Sequence, residues 1–146
     1  MRSTMLFLHL IGVVAWVGGM LFSVTCLRPS VGVVPAPERA RLMASVLRRF
    51  FNLVAIALLL IWTSGPWLWS RIPASAVPLG WYLMLCIAVV MSLVFAWLRL
   101  ALLGRLDRAI ANGPPEAIAA VLAAIHRLVV TNLTLGLLAI AAVKFV

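Results

Sequence analysis

Acidic residues are almost absent from this sequence: 3 Asp and Glu stand against 12 Lys and Arg, and charges of either sign make up only 10% of the chain. A water-soluble domain carries about a quarter, so a soluble globular fold is excluded. The charges that do occur avoid four stretches altogether: there is no Asp, Glu, Lys or Arg between Thr4 and Leu27, Phe50 and Trp69, Trp81 and Leu98, or Leu128 and Val143. Proton-coupled carriers and ion pumps place ionisable groups at mid-depth in such stretches. An autonomous pump is therefore excluded too. The 2 cysteines, Cys26 and Cys86, are too few for a disulfide framework. They fall in opposite halves of an alternating topology, beyond the ~7 Å Cα separation that a disulfide tolerates. Both are expected as free thiols packing as small apolar residues.

What is present is hydrophobic surface, 66% of the residues, gathered into long runs. The strands of a membrane barrel would be ~10-residue segments of alternating polarity, so runs of this length point to helices. The expected fold is an all-α integral membrane protein, a four-helix transmembrane bundle forming one domain over residues 1–146. Its spans lie at about residues 4–27, 50–69, 81–103 and 128–146. At ~1.5 Å per residue the first run extends about 36 Å, enough to cross a ~30 Å hydrocarbon core with some tilt. It lacks a small-x-small cleavage site and reads as a true span rather than a signal peptide.

The connections carry the charge. Arg28, Arg39, Arg41, Arg48 and Arg49 lie between the first two spans, and Arg99, Arg105, Arg108 and Arg127 lie around the third connection. Only Arg2, Arg71 and Lys144 lie on the other side. By the positive-inside rule both termini are expected in the periplasm, with the chain in a bacterial inner membrane. The net charge of +9 then faces anionic lipid, and nothing in its arrangement points to nucleic acid. Pro37-Glu38 is a helix start, from which a basic helix runs into the second span. Trp67 and Trp69 at the end of that span, and Trp81-Tyr82 opening the third, mark a headgroup level. Asn112-Gly113-Pro114-Pro115 ends one helix and begins another.

His9 is the one ionisable side chain of consequence inside a span, and an intramembrane ionisable group is a functional candidate by default. The orientation places it in the outer leaflet, one to two turns below the surface. His126, beside Arg127 at the inner edge of the fourth span, lies on the opposite side of the bilayer, so the two histidines cannot clamp one haem within a protomer. Met5 precedes His9 by one turn, and Met84 and Cys86 enter from the third span at comparable depth. Thioether and neutral imidazole both bind Cu(I), which makes His9, Met84 and Met5 candidate metal ligands with Cys86 in support. The same His9 and Met84 are also candidate axial ligands to a haem b held between the first and third spans. Gly12, Gly18 and Gly19 would make room beside Trp16. Ala15, Gly19 and Ser23 form a small-xxx-small stripe that suits close helix packing or a homodimer. Asn132 is deep enough to need a partner on another helix.

Leu8 to Phe22 (LHLIGVVAWVGGMLF), Leu27 to Pro29, Pro37 to Leu42 (PERARL), Arg48 to Phe51 (RRFF), Ser64-Gly65 and Arg127 to Leu138 (RLVVTNLTLGLL) follow one another in an order that resembles the small four-helix members of the copper-resistance CopD family. That family is distantly similar to the HemJ-type membrane proteins that bind haem b. The resemblance implies an inner-membrane protein of copper handling, with His9 as metal or haem ligand. Where relatives carry a second histidine or a lysine near the start of the third span, this chain has Leu83, Met84, Leu85 and Cys86. The leading expectation is a protein that binds or passes Cu(I) at its periplasmic side and serves a periplasmic copper or electron-transfer partner. A b-type haem protein is the alternative, and the one form in which an enzyme, a haem-dependent oxidoreductase, is expected. A non-catalytic structural subunit is the third.

Overall fold

A computed structural model of the chain describes residues 1–145. Every regular element among these residues is helical, and four helices are long and apolar enough to cross a membrane. They are α1 (Arg2–Val33), α2 (Ala36–Trp69), α3 (Leu79–Asn112) and α4 (Pro115–Phe145). The all-helical four-span reading is thus what the chain adopts. The last residue assigned to the fourth span, Val146, lies outside the described residues.

The helices run well past the apolar stretches that predict them. Residues 36–49 are the first turns of α2, and residues 99–112 the last turns of α3. Of the long basic connections expected from sequence, only Val34-Pro35 and Gly113-Pro114 remain outside the helices. Arginine is a good helix former and its aliphatic stem lies along apolar surface, so a charge ends the membrane crossing without ending the helix. Pro35 precedes α2, and Glu38 sits in its first turn, where a negative charge meets the positive end of the helix dipole. Arg39 then reaches back to the end of α1, its Nη2 donating to the carbonyls of Gly32 (3.1 Å) and Val34 (2.8 Å). Wider π-type turns interrupt α1 at Val14–Gly18 and Ser23–Leu27, and α3 at Leu98–Leu102.

The four helices pack as two close pairs, α1 with α2 and α3 with α4. Gly80 shows how close the second pair is: a Cβ there would run into the Ala142 carbonyl oxygen. In the first pair Gly12 lies against Ala57 and Ile61, and Gly19 admits the ring of Phe50. The small-residue stripe thus meets a neighbouring helix of the same chain at Gly19. The pairs join along the half of the bundle nearer the basic connections, where Phe51 meets Phe95 edge-on at 5.7 Å and Leu98, Leu102, Leu106 and Ile125 are buried. Arg48 of α2 pairs with Asp107 of α3, and Arg99 donates to Asn52 Oδ1 at 3.0 Å. Large apolar side chains such as Phe7, Phe22, Ile56, Leu59, Leu93 and Leu138 cover the outside, a surface tolerable only in lipid. Cys26 and Cys86 are free thiols, as expected, but both are exposed on this outer surface rather than packed inside.

Because hydrocarbon gives helices no hydrophobic reason to associate, contacts of this closeness carry the fold. Gly80→Val should destabilise the protein by about 1–3 kcal/mol through overpacking against α4. Gly18→Ala, which meets open space, should leave it unchanged or stabilise it by up to about 1 kcal/mol. Unfolding by titration of a denaturing detergent, followed by tryptophan fluorescence, separates the two.

Candidate functional site

Toward the end that holds both termini, the two helix pairs part and leave a cavity of about 540 Å³. All four helices line it. That volume lies within the range of pockets for small organic ligands and cofactors, roughly 300–1,000 Å³. The wall is apolar: four indoles (Trp16, Trp62, Trp69 and Trp81) stand among aliphatic side chains, and His9 is the sole ionisable lining residue among those described.

His9 reaches the cavity from the second turn of α1, and its position is fixed from α2. Its Nδ1 lies 3.1 Å from Ser64 Oγ, and Ser64 is fully buried at 0% exposure. The Ser64 hydroxyl donates its own proton to the Leu60 carbonyl one turn back, at 2.5 Å. With that proton committed, Ser64 Oγ can accept from Nδ1, the arrangement in which Nε2 of a neutral ring would hold the lone pair. Nε2 has no hydrogen-bond partner among the described residues and is not sealed off within the protein. Gly65 completes the seat, since a Cβ at that position would lie 3.3 Å from His9 Cε1. One residue of the Ser64-Gly65 pair orients the imidazole and the next makes room for it.

The remaining walls are held as firmly. Trp62 on α2 donates from Nε1 to Ser92 Oγ of α3 at 3.2 Å, and Ser92 donates to the Ala88 carbonyl at 2.7 Å. At the open end Trp69 packs on Trp81 (5.9 Å) and edge-on against Tyr82 (5.0 Å), while the Arg71 guanidinium lies 4.7 Å above Trp67. On α4, Gly136 lets Val17 and Met91 close in; a Cβ would meet them at 3.0 and 3.2 Å. Asn132, one turn earlier and 1% exposed, donates from Nδ2 to the Met91 carbonyl at 3.2 Å, and its Oδ1 has no protein partner.

Of the residues singled out from sequence, His9, Met84 and Trp16 meet at this cavity. Met5 is half-buried on α1 and Cys86 faces outward, and neither lines it. Gly12 and Gly19 are filled by neighbouring side chains, and the glycine that makes room for His9 is Gly65 instead. Asn132 serves the α3–α4 contact. His126 is half-buried on α4 and is not part of the wall. Met91 is a second thioether on the wall, but it stands seven residues beyond Met84, ~10 Å along α3. Among the described residues no three His, Cys, Asp or Glu side chains converge on a point. The roles of Ser64 and Trp62 escape sequence reasoning, although a serine and a tryptophan in an uncharged helix are themselves polar groups in need of partners.

Comparison of the chain with family models, curated proteins and solved structures finds no match.

Each interhelical hydrogen bond makes its own prediction. Ser64→Ala should cost about 0.5–1.5 kcal/mol, the range for a side-chain bond between membrane helices. Asn132→Leu should cost less, because the unpartnered Oδ1 leaves with the amide. The two bonds serve different helix pairs, so the double variant should be additive within about 0.5 kcal/mol when unfolding is followed in the same detergent titration.

Proposed function

We propose that this chain is a multi-pass membrane protein that binds a b-type haem through His9, with a redox role in the membrane. The observation that carries the reading is His9, its Nδ1 against Ser64 Oγ and its Nε2 without a protein partner, on a 540 Å³ apolar cavity walled by indoles. A ligating histidine ordinarily gives its other ring hydrogen to a fixed acceptor, which sets the tautomer and the ring orientation; Ser64 is such an acceptor. Flat aromatic walls suit a large planar ring, and the absence of acids from the lining suits an apolar one. When bound, haem supplies one-electron chemistry. The chain's part is to present Nε2, to keep water away with Trp62, Trp69 and Trp81, and to offer Met84 from α3 as a further soft donor.

A resemblance to the CopD family, itself distantly similar to HemJ-type proteins, supports His9 as ligand and a bacterial inner membrane. The second histidine or lysine of relatives is replaced here by Leu83, Met84, Leu85 and Cys86. The excess of arginine near the two helical connections supports an orientation with both termini in the periplasm. His9 is then reached from the periplasmic leaflet.

A second reading, copper handling, is favoured by the thioether of Met84 on the wall of the same cavity as His9. Neutral, soft donors cost little to bury and select Cu(I) over harder ions. Two donors suit an ion that is passed on rather than stored, so the ion is here a cargo for a periplasmic partner.

Purification in mild detergent from haem-replete cells distinguishes the readings. A red protein with a Soret band, lost in His9→Ala and weakened 10–100-fold in Ser64→Ala, is the expected result. A colourless protein that stays colourless on titration with haemin overturns it. Tight Cu(I) binding under reducing conditions, lost in both His9→Ala and Met84→Leu, would establish copper in its place.

A further inference from the structure

A second concavity lies on the outside of the bundle, between α1 and α2, in the half nearer the basic connections. Its volume is about 320 Å³. It is separate from the His9 cavity and shares no residue with it. It exists because Gly19 and Ser23 on α1 leave α2 little to pack against, and Phe50 fills only the part next to Gly19. Phe22, Met43, Val46 and Leu53 supply apolar walls.

One charged residue lines the groove, Arg49. It stands at the last position before the uncharged run from Phe50 to Trp69, the level at which hydrocarbon gives way to headgroups. Some arginines at this end are paired, and others, Arg28, Arg41, Arg105 and Arg127 with Arg49, have no hydrogen bond or ion pair among the described residues. Arg39 is bound to backbone carbonyls, Arg48 to Asp107, Arg99 to Asn52 and Arg108 to the Gly104 carbonyl. Arg49 has no hydrogen bond or ion pair among the described residues and is exposed. A guanidinium presents a planar fork that matches two phosphate oxygens. No acid lines the groove to compete for it.

We propose that this groove is a binding site for one anionic phospholipid, an acyl chain lying along Phe22, Ser23 and Leu53 and its phosphate on Arg49. Basic pockets between membrane helices recognise anionic headgroups in this way. A free phosphate has no use for the apolar walls. A zwitterionic lipid would bring its own ammonium toward a surface already crowded with arginine, and this repulsion makes the site selective.

Native mass spectrometry of the full chain in mild detergent, with phosphatidylglycerol or phosphatidylcholine of identical acyl chains added, tests the site. Wild type should retain one phosphatidylglycerol with about five- to tenfold preference over phosphatidylcholine, as expected for one charge contact at the interface. Arg49→Gln should abolish the preference while leaving the weak binding of both lipids. Ser23→Leu, which fills the groove, should reduce both. Arg105→Gln serves as a control, an exposed arginine outside the groove, and should change neither. Equal retention of the two lipids by wild type overturns the proposal. So does unchanged selectivity in Arg49→Gln, or an equal loss in Arg105→Gln, which would mark a bulk charge effect. Arg49 lies on the surface, and a Tm matching wild type in lipid-free detergent verifies that its variant is folded.

Discussion

Hydrocarbon offers a polar group no partner, and the arrangement of this bundle follows from how its few polar side chains are accommodated. Thr25, Thr63, Ser64, Ser92 and Thr134 each return a hydrogen bond to a carbonyl one turn back on their own helix. Three other groups reach across. His9 meets Ser64, Trp62 meets Ser92, and Asn132 meets the carbonyl of Met91, so that α1 is tied to α2, α2 to α3 and α3 to α4. In a medium that gives apolar surfaces no reason to prefer each other over lipid, such ties fix which faces meet. The first of them also orients the His9 imidazole at the cavity.

The coarse fold is legible in the sequence because it depends on composition: charge is excluded from four runs, and each run becomes a helix long enough to cross a membrane. Helix length is less legible. Arginine marks where the membrane stops, and α2 and α3 continue through it because nothing in their basic segments disfavours helix. Proline and glycine mark the true ends, at Val34-Pro35 and Gly113-Pro114.

The site was legible in part. A lone histidine in an apolar run identifies itself, and Met84 and Trp16 lie on the same cavity. Met5 follows from its one-turn spacing to His9 and Cys86 from its depth, yet neither lines that cavity. Depth does not determine which way a side chain faces, and a shared helical face does not carry a neighbouring turn onto the same wall. The glycines show the same limit. Gly12 and Gly19 read as space beside the histidine, whereas close packing of α1 on α2 fills both, and the glycine that seats the imidazole is Gly65 on α2. Whether a missing side chain leaves a void or a contact is decided by the neighbour, which a single helix does not contain.

The continuation of the helices beyond the lipid has a consequence for how the molecule is met from water. On one face, residues 36–49, 99–112 and 115–127 stand clear of the uncharged runs as a stub of helical turns ~20 Å tall, bearing most of the positive charge. On the other, α2 and α3 are joined by a short loop beside a cap of aromatic rings. The basic stub and the His9 cavity lie toward opposite ends of the bundle, so whatever covers one leaves the other sterically open.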